Sequence, residues 1–283
     1  MVVKNRFEEK NERFRRKLKL IVARTLPIVL TSGAMLLTDC GPNPGPNSEP
    51  NPTTKQAEYN APTIIDGRRP DGLLPPSTGD IWNGADHEVV SAFFAQSAHL
   101  ESAAVVAFEY LAQELEAYHA PTEFIQLANE AAQEEIEHAK LMTELAAHFG
   151  SATVPKVEVT PFALRPLHEI AYENALEGCT RETYGALKGL WQAETAEESF
   201  VRTATAQVGH DESRHAALSW AIDDWIRPLL TAEQNATCDR IQKESMEALR
   251  QEVTQPIHPA LIRWAGYPPP HAAKLLLQES FSA

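Results

Sequence analysis

The sequence predicts an all-α domain, in its simplest form a four-helix bundle with an additional C-terminal helix and a docked tail. Between residues 87 and 253, apolar residues recur at helical spacing in five long segments. Residues typical of helix ends separate these segments. Alternating apolar patterns, which indicate β-strands, are nearly absent. Together these observations exclude a sandwich, a barrel and a mixed α/β domain.

Capping residues and prolines set the helix boundaries. Asp86 is a suitable N-cap for the first helix, and Pro121 stands at a favoured first-turn position of the second. The pair Thr195 and Glu198 forms a T-x-x-E capping box that predicts the start of the fourth helix. Thr231 with Gln234 predicts the start of the fifth in the same way. The five predicted helices are 87–117, 121–150, 166–192, 195–227 and 231–253.

The N-terminal region has the pattern of an export signal. Eight Lys or Arg residues and three Glu occupy the first 19 positions, and a mostly apolar run of 13 residues follows at 25–37. That run is shorter than the roughly 20 residues a membrane-spanning helix needs. We therefore predict an export signal over residues 1–39.

The signal ends in "LTDC", which resembles the lipobox of bacterial lipoproteins. Leu37 fits that pattern, whereas Asp39 departs from the small residue usual there. The resemblance implies lipidation of Cys40 and attachment to a cell-envelope membrane; without lipidation the protein would be periplasmic or extracellular.

The rest of the chain divides by composition. Residues 42–76 hold nine of the 20 prolines and no apolar periodicity, so 40–80 is predicted to be a Pro-rich disordered linker. The helical bundle is predicted at 81–254 and a C-terminal tail at 255–283.

Net charge limits the partners. The formal charge is −14, and nine basic residues against four acidic ones lie in the first 39 positions, so the remainder is more acidic still. A domain this acidic is repelled by phosphate backbones, which argues against nucleic acid. Membrane contact is expected only through the lipid anchor. Cys179 and Cys238 are the cysteines left for the domain, and their spacing leaves open whether they pair.

Ionisable residues interrupt the apolar stripes of three helices. Glu135 and His138 lie in the centre of the second stripe, and Glu212 and His215 repeat the same E-x-x-H spacing in the fourth. Residues three apart share a helix face. Burial of an unpaired carboxylate is costly, so such groups persist when they are paired or bound to metal. Glu101 occupies the matching position in the first helix.

Three glutamates compete for the equivalent position in the third helix. In an antiparallel hairpin, residues at equal depth are equidistant from the turn, as Glu101 and Glu135 are from residue 118. The midpoint of Glu177 and Glu212 falls between 194 and 195, at the predicted turn. The midpoint of Glu182 and Glu212 is residue 197, inside the predicted fourth helix. The midpoint of Glu173 and Glu212 falls before residue 194, ahead of the predicted turn. This comparison favours Glu177, narrowly over Glu182.

The result is one Glu on each of two helices and one E-x-x-H on each of the other two. Carboxylate and imidazole ligands in this number suit two divalent ions such as iron or manganese.

Residues 85–227 resemble the ferritin-like superfamily of diiron-carboxylate bundles. The segments that carry the resemblance are "HLESAAVVAFEYL", "EEIEHAKL", "EGCTRETYGAL" and "DESRHAALSW". Glu182 would be an additional carboxylate of the kind found in rubrerythrin-like members, and would share a face with Glu177 only through a π-bulge. Tyr184 is either a phenol beside the ligands or an ordinary core residue. The resemblance implies that the metal ligands are Glu101, Glu135, His138, Glu177, Glu212 and His215.

By the same resemblance, the protein would hold two iron ions, or manganese, and react with O₂ or peroxide as an oxidoreductase of unknown substrate with an electron donor as partner. Two alternatives stay open: a non-catalytic, ferroxidase-like iron-handling protein, and a degenerate bundle that serves as an interaction module. A pocket of small residues at Ala128, Ala131 and Ala132 would favour a substrate-using oxidase, and a filled core would favour the alternatives.

Overall fold

A computed structural model describes residues 9, 12–26, 67–70, 73, 81–150 and 152–281. Residues 27–39 of the predicted signal, Cys40 and most of the predicted linker lie outside this range. All regular structure within the described residues is helical, which confirms the all-α class. The helices are α1 at 12–26, α2 Asp86–Ala117, α3 Thr122–Phe149, α4 Leu167–Glu173, a π-helix Asn174–Glu182, α5 Thr183–Thr195, α6 Ser199–Ile226, α7 Ala232–Glu252, α8 Pro259–Arg263 and α9 Pro270–Ser280, with short 3₁₀ turns at Ile81–Asn83 and Arg227–Leu229.

Two helix pairs form the centre of the molecule. The short turn 118–121 joins α2 to α3, and residues 196–198 join α5 to α6. Helix α6 also packs against α3 and against the π-helix, so the pairs share one interior. One apolar cluster, which includes Phe93, Phe94 and Val208, fills one end of this interior. A second, which includes Phe108 and Ile222, fills the other, and the ionisable residues of α2, α3 and α6 lie between them.

Helix α2 has the length and composition of a membrane span, but 78% of its most apolar window is buried inside the protein. Burial of this kind is what a core helix requires.

Two glycines let α5 and α6 approach closely. A Cβ on Gly209 would lie 2.6 Å from the backbone N of Leu190 and 2.8 Å from the backbone carbon of Gly189. Because backbone atoms are the obstacle, no side-chain rearrangement would relieve the clash. The pair therefore sets the spacing of the two helices one turn from the ionisable residues of α6.

One predicted capping box is present and the other is wrong. Thr231 and Gln234 exchange both hydrogen bonds of the box at the start of α7. Thr195, however, is the last residue of α5, and its Oγ1 donates to the carbonyl of Trp191 at 2.9 Å. Helix α6 starts at Ser199, after Glu198. The turn is therefore centred on residue 197, the midpoint between Glu182 and Glu212.

Segments outside the two pairs also pack on the core. Leu18 and Val22 of α1 are buried beside Leu187 of α5 and Leu276 of α9. Residue Arg68 of the predicted linker is only 1% exposed. The C-terminal segment includes two short helices, α8 and α9, with Leu261 and Leu277 buried. The contacts of α1 and of residues 67–70 are not predicted by the sequence pattern.

Candidate metal centre

Three helices bring five ionisable side chains into the interior. Glu101 comes from α2, Glu135 and His138 from α3, and Glu212 and His215 from α6; each is at most 2% exposed. The E-x-x-H spacing places both groups of a helix on its buried face, as predicted. One ligand atom from each of Glu101, Glu135, His138 and Glu212 lies within 4.8 Å of the others. Atoms this close can meet on one divalent ion with bonds of roughly 2.0–2.6 Å.

The two central carboxylates each face both imidazoles. Glu135 Oε2 lies 3.3 Å from His138 Nδ1, and its Oε1 lies 3.1 Å from His215 Nδ1. Glu212 repeats this, with Oε1 3.9 Å from His138 Nδ1 and Oε2 3.9 Å from His215 Nδ1. The imidazole ring centroids are 5.9 Å apart. The group is therefore nearly symmetric, with each Nδ1 directed at one oxygen of each carboxylate.

The outer nitrogens of the imidazoles bind a second pair of acids. His138 Nε2 lies 3.0 Å from Asp211 Oδ2, and His215 Nε2 lies 2.8 Å from Glu134 Oε2. Arg214 donates to both of these acids. We assign the ring proton to Nε2, since carboxylates accept there, which leaves Nδ1 free to bind a metal.

This cross-pairing has a signal in the sequence that the apolar stripes alone do not reveal. In each motif an acid directly precedes the inward glutamate, giving "EEIEH" at 134–138 and "DESRH" at 211–215. Each preceding acid reaches the imidazole of the other helix. The repeated acid-Glu-x-x-His pattern therefore indicates two mutually supporting helices.

Removal of an outer acid should weaken metal binding without deleting a ligand. We expect Asp211→Asn to lower metal affinity about 10- to 100-fold, because the His138 ring loses its charged partner. Isothermal titration with Mn(II) measures the effect. Glu137→Gln is the control, since Glu137 is an exposed acid next to His138 on α3 and pairs with Lys140 instead of an imidazole. Equal affinities for the two variants would contradict the assigned role of Asp211.

The structure does not bring Glu177 to the cluster. Its carboxylate makes ion pairs with Arg69 at 3.6 Å and Arg181 at 3.7 Å, beside an open groove. Glu182 takes the inward position instead: it is 2% exposed and accepts from Ser219 Oγ at 2.7 Å. Of the two carboxylates, Glu182 and not Glu177 therefore faces the interior.

The π-helix Asn174–Glu182 explains why Glu182 faces the interior and Glu177 does not. A turn closed by i→i+5 hydrogen bonds contains one residue more than an α-helical turn. The side chains that follow are therefore rotated about the helix axis relative to a regular α-helix. The sequence indicates that Glu182 and Glu177 can share a helix face only through a π-bulge. The two glutamates nevertheless do not share the site, because Glu177 turns to the arginines.

One other site candidate and the two cysteines of the domain lie elsewhere in the core. Tyr184 packs with Leu249 and Val253 in a separate apolar cluster, so its position is that of a core residue. Cys179 and Cys238 are both buried, unpaired thiols.

Burial and mutual charge alter the acidity of the group in the metal-free protein. Burial, with the nearby Glu135 charge, raises the pKa of Glu212 to about 8. Burial likewise raises the pKa of Glu182 to about 7. For Glu135 burial acts in the same direction, but the two imidazoles outweigh it and hold its pKa below the usual range. Burial lowers the pKa of His138, yet Asp211 and Glu135 outweigh it and raise the value to about 9.

These shifts predict a pH-dependent stability for the metal-free protein. Glu212 and His138 bind protons more tightly in the folded state than in the unfolded chain, so their contribution decreases as pH rises through their folded pKa values. The melting temperature should therefore fall between pH 6 and 9. Circular dichroism melts in chelator measure it, and bound metal should flatten the curve because the ligands are then already deprotonated.

Glu212→Gln serves as the control, because it removes one of the titrating groups and should make the fall shallower. A melting temperature of the native metal-free chain that stays constant or rises over this range would contradict the assigned protonation states.

The donor atoms fit a metal ion. Within the described part of the chain, neither oxygen of Glu135 or Glu212 has a hydrogen-bond partner of good geometry, nor does Nδ1 of His138 or His215. Unsatisfied buried polar atoms are costly, and an ion bound between them would remove that cost. This buried Glu and His group can hold a metal ion.

Comparisons with protein-family models, curated proteins and solved structures found no match. Function must therefore be inferred from the site.

Proposed function

We propose that the protein is a ferritin-like four-helix bundle that holds two iron ions, with manganese as the alternative, and acts as an oxidoreductase on O₂ or peroxide. The observation that carries the proposal is the position of Glu135 and Glu212 between His138 and His215. Each carboxylate offers one oxygen to each imidazole, at 3.1–3.9 Å. Two carboxylates that face two imidazoles in this way suit two ions better than one.

The outer carboxylates complete the proposed ligand set. Glu101 belongs to the group around His138. Burial raises the pKa of Glu182, and the charges of Arg68 and His215 oppose that rise; its Oε1 is buried without a hydrogen-bond partner among the described residues. In this set, four carboxylates balance the charge of two divalent ions, which offsets the cost of burying them.

The donor types favour iron or manganese. Oxygen and imidazole ligands suit these ions, whereas thiolates would favour zinc or copper(I). Cys179 is no competitor, because burial raises its thiol pKa well above the usual value and its Sγ donates to the Ser219 carbonyl.

Bound iron would supply electrons and Lewis acidity for the reaction with O₂ or peroxide. The protein's own residues would orient and shield the ions. Asp211 and Glu134 fix the imidazole rings, and Arg214 joins the two acids. The Phe108 ring packs against the His215 ring, with 4.9 Å between the ring centroids. Continued turnover would require an electron donor.

A second function, iron oxidation without an organic substrate, is favoured by one observation. Ala128, Ala131 and Ala132 are buried in the apolar cluster that includes Phe108 and Ile222. Their small side chains thus pack against larger ones, as expected of a filled core.

Anaerobic loading of the full chain with Fe(II), followed by exposure to air, tests the proposal. Two irons per chain and a new near-ultraviolet absorption band after air would support it. Repeated oxidation of added Fe(II) with release of the product would favour the iron-handling function. No bound iron or manganese under any loading condition would overturn both functions.

A further inference from the structure

Arg68 is buried although it comes from a segment expected to be a linker. It is 1% exposed and is among the largest fully buried side chains of the described chain. Its Nε and Nη2 donate to the two oxygens of Glu173 at 2.7 and 3.0 Å, and Nη2 also donates to Asn174 Oδ1 at 2.9 Å. Its Nη1 donates to Ser219 Oγ at 3.4 Å. Desolvating a guanidinium is expensive, so this placement calls for an explanation.

Gly67 brings this arginine next to the metal ligands. Its φ is +63°, a conformation that favours glycine. A Cβ there would lie 2.5 Å from the Ala104 side chain and 3.0 Å from Glu101 Oε2. The backbone therefore passes directly over the cluster, and only glycine permits that approach.

The hydrogen bonds of Arg68 lead to Glu182. Because Arg68 donates to Ser219 Oγ, the serine hydroxyl can direct its own proton to Glu182 Oε2, 2.7 Å away. Asn174, which also accepts from Arg68, donates through Nδ2 to the Ser219 carbonyl at 2.9 Å. Arg68 thus connects Asn174, the first residue of the π-helix, to Glu182, the last.

Neutralisation of Glu173 alone does not account for the arrangement. Arg165 already lies 3.7 Å from that carboxylate and is itself partly exposed. An ion pair at the surface would need neither a glycine next to Glu101 nor a contact with Ser219.

We propose that Arg68 is a positioning residue of the metal centre, which holds Ser219 and, through it, the Glu182 carboxylate against the metal position beside His215. This inference rests on the proposed two-metal function and adds a residue from outside the helices that carry the proposed ligands. Glu182 Oε2 accepts from Ser219, and Oε1, which is buried without a hydrogen-bond partner among the described residues, would be the oxygen available to an ion.

Cobalt(II) binding by the full chain tests the inference, with the visible absorption of the ion as the signal. Arg68→Lys retains a charge for Glu173, but one ammonium cannot span Glu173, Asn174 and Ser219. We expect Arg68→Lys and Arg68→Met to weaken the second cobalt site at least about 10-fold, the size of effect found when a ligand loses its supporting partner. Arg69→Met is the matched control, because Arg69 pairs with Glu177 instead, and it should bind like the native chain.

A double variant separates positioning from simple structural support. If Arg68 acts through Glu182, then adding Arg68→Lys to Glu182→Gln should weaken cobalt binding no further. Circular dichroism identifies variants that fold, and Arg68→Lys decides the question if Arg68→Met does not. Native affinity at both sites in a folded Arg68→Lys variant, or additive losses in the double variant, would overturn the inference alone. No cobalt bound by the native chain would overturn the proposed function and this inference with it.

Discussion

Replacement of Glu135 by alanine is expected to abolish the binding of both metal ions. Its two oxygens lie 3.3 and 3.1 Å from Nδ1 of His138 and His215, so a single substitution removes a donor from each proposed metal position. The loss should exceed the roughly 100-fold that marks the upper end for removal of a ligand's outer partner. Metal content per chain after anaerobic loading with Fe(II) measures it directly.

Glu137→Ala provides the control for this experiment. Glu137 lies two residues away on α3, exposed and paired with Lys140, so its removal leaves the interior unchanged. Unchanged metal content in a folded Glu135→Ala variant would disprove the assignment of Glu135 as a ligand of both ions.

The second large effect is a loss of bound metal that we expect from replacing Glu182 but not from replacing Glu177. We expect Glu182→Ala to retain one firmly bound ion and Glu177→Ala to retain two. The two acids form a matched pair, because both lie in the π-helix and are 2% and 8% exposed. The charge of His215 affects the pKa of Glu182, whereas Glu177 is paired with Arg69 and Arg181.

Metal stoichiometry of both variants, measured side by side, decides between them. The reverse result, with an ion lost from Glu177→Ala and none from Glu182→Ala, would restore the choice made from the sequence. Melting temperatures of the metal-free variants show whether a change in stoichiometry reflects a loss of fold.

Most of the candidate site could be predicted because helical periodicity determines which side chains share the buried face of a helix. The apolar stripe through Glu135 and His138, and its counterpart through Glu212 and His215, fixed which faces meet in the interior. The apolar stripe of the first helix supplied Glu101, and its distance from the short turn matches that of Glu135. These inferences need only regular α-helices, and α2, α3 and α6 are regular.

The sequence ranks Glu182 second to Glu177 for two linked reasons. A π-helix changes the register of a helix without altering its composition, so periodicity cannot reveal the extra residue. The supposed capping box at Thr195 also moved the predicted turn by about two residues, and with it the midpoint that selected Glu177. With the turn centred at residue 197, the same reasoning selects Glu182.

Arg68 was beyond sequence reasoning of this kind. The segment around it is rich in proline and lacks an apolar period, and local pattern gives no information about a contact 151 residues away at Ser219. The outer acids, in contrast, could have been found from the sequence, because Glu134 and Asp211 each directly precede an inward glutamate.

Anomalous X-ray diffraction at the iron edge, from crystals of the full chain loaded anaerobically with Fe(II), tests the central claim most directly. Two peaks between Glu135 and Glu212, one next to Nδ1 of His138 and the other next to Nδ1 of His215, are the predicted result. A single peak shared by both imidazoles, or iron located only at surface carboxylates, would contradict a two-metal centre in this protein.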